Sequence, residues 1–216
     1  MANTTLRLKE IFSQIPTCDV FADIGCDHGY IAKAMLDSGK CNQVVIADIS
    51  ALCLKKAEDL LADGIESGKV KSFVADGFVG LPEVDCALIA GMGGEEICAI
   101  MLKANFLPKN LVLQPMKNPR KVRETALQLG YKFIKDYTFT CNKKYYDVMV
   151  LEKGKDSLTE EELDFGKTNV NEKPQGFIEF IGYKLNELNG YLLAPRLSES
   201  SIAKIKKDIE RLSKYV

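Results

Sequence analysis

Five short runs rich in Val, Ile, Leu and Ala alternate with stretches of helical periodicity, and this alternation restricts the fold more than any other feature of the chain. The runs are DVFADI, QVVIADI, VKSFVA, DCALIAGM and NLVLQP, each bounded by Gly, Pro, Asp or Asn, as strands buried on both faces are. Helical patterns follow the first at 30–38, the second at 50–65, the fourth at 95–103 and the fifth at 119–129. Ser50 is placed to cap its helix, and Asn118 precedes a proline suited to the first helical position. The order predicts an α/β fold with an open, doubly wound sheet and right-handed crossovers. Two later runs, KFIKDYTFTC and KYYDVMVLEK, are joined by Asn142 and Lys143 without a helix, which predicts an antiparallel hairpin closing one edge of the sheet.

Beyond Gly154 the chain becomes polar, then shows apolar residues at helical spacing: Phe177, Phe180, Ile181, Leu185 and Leu188, then Ile202, Ile205, Ile209 and Leu212. Two long amphipathic helices packed antiparallel would bury both stripes. The expected organisation is a sheet domain over residues 1–154 and a helical, coiled-coil-like domain over 155–216.

No apolar run is long enough to span a membrane, and the N-terminal residues alternate polar and apolar where a signal peptide needs an unbroken apolar segment. A cytoplasmic protein is expected, as a monomer or weak homodimer. The 7 cysteines form no C-x-x-C pair, which fits reduced thiols, and a single histidine, His28, argues against a metal centre. The formal net charge of −1 hides an asymmetry: Lys103 to Lys144 holds 10 basic residues against 2 acids, while Asp48 to Glu96 holds 10 acids against 4 lysines. One face can therefore attract a polyanion, although solvated helix faces account for such runs equally well.

In an open parallel sheet, ligands bind beyond the carboxyl ends of the strands. The residues placed there are the turn Asp23, Gly25, Cys26, Asp27 and Gly29, then Asp48 with Ile49, Asp76 with Gly77, and Ala90 with Gly91. Asp48 can accept from both hydroxyls of a ribose; Asp76 can accept from an adenine amino group, with Gly77 letting the base lie against the backbone. A pyrophosphate over the first turn would be repelled by Asp23 and Asp27, so an NAD-dependent oxidoreductase is disfavoured and a cation is favoured. S-adenosylmethionine, with adenine, ribose, sulfonium and ammonium, satisfies every part of this pattern.

The same residues carry a resemblance. RLKEIFSQIP, ADIGCDHGYIAKAM, IADIS, LIAGMGGEEI, LVLQP and KYYDVMVLE resemble, in order from about Leu6 to Glu152, the bacterial tRNA (adenine-N1)-methyltransferase family that acts at adenosine 22 of the D-loop. The resemblance implies a Rossmann-like class I methyltransferase sheet with a helical coiled-coil extension, S-adenosylmethionine as donor and tRNA as acceptor. Two departures from broader methyltransferase patterns stand out. Asp27 occupies a position where many class I enzymes have glycine, and AGMGG replaces the Asn/Asp-Pro-Pro-aromatic block of amino-methylating enzymes, consistent with a ring nitrogen as target.

For that chemistry Asp27 is the candidate for stabilising the charge that moves onto the base, and His28 either orients Asp27, touches the adenine or caps the following helix. Gly91, Gly93 and Gly94, with Met92 among them in the AGMGG block, let the backbone approach a flipped base closely. Tyr30, Tyr145 or Tyr146 is a candidate for stacking on it, with plain packing the competing account. Gln114 and Pro115 are expected to line the acceptor pocket or simply end their strand. Lys117, Arg120, Lys121, Arg123, Lys143 and Lys144 are expected to grip RNA phosphates, with a second RNA contact from the tail, for which a protein-partner or dimer contact is the competing account. The alternatives are a methyltransferase acting on a small molecule or protein, and a tRNA-binding module without turnover.

Overall fold

The computed structural model describes residues 5–193 and 197–216. Each expected run forms a strand: β1 (Val20–Ile24), β2 (Gln43–Asp48), β3 (Val70–Val74), β4 (Cys86–Gly93) and β5 (Asn110–Lys117), followed by the hairpin β6 (Tyr131–Cys141) and β7 (Lys144–Lys153). They form one sheet in the order β3-β2-β1-β4-β5-β7-β6, with β7 antiparallel to both neighbours. The hairpin turn is tight because Asn142 and Lys143 both take positive φ, 50° and 60°, matching the twist of the flanking strands. Because β1 pairs in parallel with both β2 and β4, the winding reverses there, and a crevice opens at the strand ends.

The alternation of side chains along each strand builds two cores. Ala22, Ile24, Ala87 and Ile89 face α5 (Gly94–Lys103) and α6 (Pro119–Gln128) through Ile97, Met101, Val122 and Ala126. Phe21, Val44, Ile46 and Leu88 face the opposite way, onto Ile11, Ile31, Met35, Leu54 and Ala57. These come from α1 (Leu6–Gln14), α2 (Tyr30–Asp37) and α3 (Ala51–Leu60). The single helix expected over 50–65 is broken: Leu61 leaves helical geometry at φ −109° and ψ 17°, and α4 (Ala62–Glu66) follows, where Asp63 and Gly64 are weak helix formers. The sequence reading assigned no helix at α1, which Thr5 caps by accepting from the Leu8 amide.

The two long tail helices are present as α9 (Gln175–Leu192) and α10 (Glu199–Leu212). Phe177 meets Tyr215 at a ring separation of 5.2 Å, which sets the start of α9 against the chain just after α10, in antiparallel fashion. Two short helices precede them, α7 (Glu160–Phe165) and α8 (Lys167–Glu172), in the stretch read from sequence as merely polar; a capping box at Thr159 and Glu162 starts the first. This segment closes the outer edge of β6. The amides of Phe133, Asp136 and Thr138 donate to Asp156 Oδ2, Thr168 Oγ1 and Asn169 Oδ1 at 2.9, 2.9 and 3.0 Å. Among the described residues, no helix is long and apolar enough to cross a membrane.

Candidate active site

The turn after β1 is stitched to β2. The amides of Gly25 and Cys26 both donate to the Ala47 carbonyl, at 2.8 and 3.2 Å. Positive φ at Gly25, Asp27 and Gly29 (70°, 45° and 69°) folds the chain back into α2. At Gly25 the positive φ is what favours glycine; an added Cβ would also meet the Met92 methyl at 1.9 Å, the mobile end of a flexible side chain that can swing aside.

Asp23 is buried and accepts from the Ala32 amide at 3.3 Å. Burial pushes its carboxyl up to about 7, opposed by that hydrogen bond and reinforced by the field of Asp48. Asp48 is oriented at both oxygens: Oδ1 accepts from the Ser50 amide at 2.8 Å and Oδ2 from the Asp27 amide at 3.3 Å. Each oxygen keeps a lone pair for a ligand hydroxyl. The Asp27 carboxylate lies 3.4 Å from Lys56 Nζ and 3.7 Å from His28 Nε2. His28 stacks on Tyr30 with ring centroids 5.4 Å apart and planes 15° from parallel. Its role as helix cap falls away, since Gly29 occupies the cap position of α2.

These groups line a cavity of about 710 Å³ at the ends of β1 to β4, within the range of small-molecule sites. Its wall includes Asp23, Gly25, Cys26, Asp27, His28 and Tyr30 from the first turn, Asp48 and Ile49 after β2, Asp76 and Gly77 after β3, and Ala90, Gly91 and Met92 at the end of β4. Gly29 lies behind it, where a Cβ would strike Ala57 at 2.9 Å; Gly93 caps α5. Asp76 is tied to Lys103 Nζ at 3.0 Å. Burial, with the nearby aspartates, raises the Cys26 thiol pKa. The sequence reading missed Arg7, Glu96 and Lys103, which also face the cavity. Arg7 could be found only by first recognising α1.

Over residues 4–149 the chain matches the family model described as a methyltransferase domain. The chain belongs to this methyltransferase family. The methyltransferase is 35% identical over 159 residues, 70% of its own chain and 73% of the relative, to a Mycoplasma pneumoniae protein named as a tRNA methyltransferase. It is 28% identical over 153 residues, 68% of its chain and 64% of the relative, to the tRNA (adenine(22)-N(1))-methyltransferase of Bacillus subtilis. Its fold matches M. capricolum TrmK, solved with S-adenosyl-homocysteine, at a TM-score of 0.84 and 20% identity over 98% of this chain and 97% of that one.

Several expected contacts are placed elsewhere. Gln114 and Pro115 are buried in β5 and are not among the residues that line the cavity. Gln114 approaches the site only through Arg7. Tyr145 packs on Phe180 and Tyr183 of α9, and Tyr146 on Phe139, so of the three tyrosines only Tyr30 lines the cavity. Arg123 does not face RNA: it is 0% exposed, and Nε and Nη2 donate to Asp136 at 2.8 and 2.9 Å while Nη1 donates to the carbonyls of Leu163 and Asp164. Arg120 is engaged by Glu124, Glu160 and Asp164 at 2.8, 2.8 and 2.6 Å. Lys117, Lys121, Lys143 and Lys144 are exposed.

Proposed function

We propose that the protein methylates N1 of adenosine 22 in the D-loop of tRNA, using S-adenosylmethionine, in the cytoplasm. The observation that carries this reading is the cavity itself, where an oriented Asp48, a glycine turn and a run of carboxylates meet at the switch point of a methyltransferase sheet. The donor set fits the cofactor. Asp48 offers both oxygens to the ribose hydroxyls, Ile49 offers an exposed apolar side chain to the adenine, and the buried Asp23 answers the ammonium. Support for the acceptor comes from the names of the relatives, above all the B. subtilis enzyme.

When bound, S-adenosylmethionine supplies a methyl group on a positively charged sulfur. Neutral adenine carries its N1 lone pair in the ring plane, so this chain needs no general base, and its residues act by orientation and charge. The base becomes a cation, and Asp27 and Glu96 on the cavity wall offset that charge. Tyr30, stacked on His28, presents an aromatic surface for the extruded base at the rim. Lys117, Lys121, Lys143 and Lys144 hold the RNA backbone, with residues 155–216 as a second, helical contact.

The test is transfer of labelled methyl from S-adenosylmethionine to unmodified tRNA transcripts, with the product nucleoside identified after digestion. N1-methyladenosine that disappears when adenosine 22 is replaced supports the proposal. Absence of transfer by a protein that binds S-adenosyl-homocysteine refutes the tRNA reading and leaves the cofactor reading standing.

A further inference from the structure

The β6–β7 hairpin turns over at the same edge of the sheet as the cavity. β5 is parallel to β4 and β7 is antiparallel to β5, so β7 begins on the side where β5 ends. Its first side chains part to opposite faces. Tyr146 lies on the α1 side, where the guanidinium of Arg7, a residue of the cavity wall, is 5.8 Å from its ring centre. Tyr145 lies on the other side, against α9.

Tyr145 meets the ring of Phe180 edge-on at 5.5 Å and that of Tyr183 at 5.7 Å, with the two tyrosine planes tilted by 40°. Tyr145 and Phe180 join α9 to the hairpin: both are half-buried, and the Tyr145 hydroxyl donates to the Glu179 carbonyl at 3.3 Å. Tyr183 is placed differently. It is 51% exposed, and its hydroxyl has no hydrogen-bond partner among the described residues. A ring backed by another ring and open in front is a surface on which a flat group can stack.

The helix surface beside Tyr183 is clear. Gly182 occupies the middle of α9, where glycine is a poor helix former, and an added Cβ there would meet nothing within 4 Å. Neither a positive φ nor close packing calls for glycine at this position, so what a side chain would obstruct is approach from outside. Charge supplies the class of the partner. Lys143 and Lys144 at the hairpin turn are exposed, and among the described residues no carboxylate pairs with either. Lys184, 5.8 Å from the Tyr183 ring centre, is tied to Glu187 at 2.9 Å, and Glu179 accepts from Thr140 and Gln175. An open aromatic ring beside unpaired ammonium groups matches the two halves of a nucleotide in unpaired RNA, base on ring and phosphate on lysine.

We propose that Tyr183, backed by Tyr145, stacks an unpaired base of the tRNA other than the target adenosine, with Lys143 and Lys144 on the neighbouring phosphates. This rests on the tRNA reading above and adds a second fixed point to it. With one base held at Tyr183 and the target drawn into the cavity, the RNA is registered at two places along one edge of the sheet.

The test is binding of a tRNA transcript to the full chain at two salt concentrations, for wild type, Tyr183→Phe, Tyr183→Ala and Gly182→Leu, with melting temperature and S-adenosyl-homocysteine affinity measured alongside. Loss of one stacked base predicts that Tyr183→Ala weakens tRNA by about fivefold to a hundredfold at both salts, because stacking releases no counterions, while Tyr183→Phe stays near wild type. Gly182→Leu weakens tRNA too, with a melting temperature at or above that of wild type, which a fault in folding would not give. S-adenosyl-homocysteine affinity is unchanged throughout. The proposal is overturned if Tyr183→Ala binds tRNA as wild type does, or if Tyr183→Phe falls as far as the alanine variant. It is equally overturned if Gly182→Leu leaves tRNA binding intact while Tyr183→Ala lowers the melting temperature, which would make the ring a packing element of α9. Unchanged tRNA affinity with altered sedimentation of Tyr183→Ala overturns it in favour of a second copy of the chain on this surface. If wild type binds S-adenosyl-homocysteine but no tRNA, it is the tRNA reading that fails.

Discussion

At the ends of β1 and β2 the aspartates look into a cavity; along the outer edge of β6, aspartates of the same kind are closed off by the chain. Asp48 takes two backbone amides and keeps lone pairs free, whereas Asp136 takes the forked guanidinium of Arg123 and the Lys167 amide. Asp156 is likewise filled by Lys167 Nζ and the amides of Phe133 and Ser157. The contrast teaches that a carboxylate's role is set by what else reaches it: the first group stays available for a ligand, and the second is consumed in holding the tail against the sheet.

The largest effect should come from breaking the closed side. Arg123→Ala leaves Asp136 buried without its counter-charge and should cost about 3–5 kcal/mol of unfolding free energy in urea titrations. The paired change Arg123→Met with Asp136→Leu should recover only part of it: both charges of the pair are gone, but Asp147, 3.8 Å from the guanidinium, loses its counter-charge and the Lys167 amide its acceptor. On the open side, Asp48→Ala should weaken S-adenosyl-homocysteine by about tenfold to a hundredfold in calorimetry, with a smaller change in melting temperature.

A pH test sharpens the comparison further. Because burial raises the Asp23 carboxyl to about 7, its protonated form favours the folded state; that contribution is complete below the ordinary value of 3.8 and is lost as pH rises toward 7. A ligand ammonium favours the ionised form. Binding of S-adenosyl-homocysteine just below pH 7 should therefore release protons, seen as a dependence of the apparent enthalpy on buffer, and Asp23→Asn should abolish that release. The smallest effects belong to the surface: Lys117→Ala and Lys121→Ala should each reduce the salt dependence of tRNA binding by about one unit of log–log slope.

Much of the open side could be read from the chain, because strands buried on both faces leave apolar runs and the residues after them fall at the ligand edge. Asp23, Gly25, Asp48 and Asp76 were located in this way. The closed side was not legible. Arg123 sits beside Lys121 and Arg120 in a run that looks like a solvated basic face, and only the arrival of α7 and α8 some 40 residues later buries it. Gln114 and Tyr145 were misplaced for a related reason: the residues that cover them, on α1 and α9, are distant in sequence. Arg7 escaped notice because α1 itself did, although Leu8, Ile11, Phe12 and Ile15 fall at helical spacing behind Thr5; the alternation of the N-terminal residues was weighed only against a signal peptide.

The amides of Phe133, Asp136 and Thr138 that donate to tail side chains carry one more consequence. An 11-residue strand stripped of those acceptors is a template for recruiting foreign chains. The segment from Asp156 to Asn169 acts as a selvedge that stops the sheet from growing. Cutting the protein before Lys155 should yield self-associating material, whose loss of tRNA affinity would then reflect a misused edge as much as a missing contact, so the sedimentation behaviour of such a truncation has to be known before its binding can be interpreted.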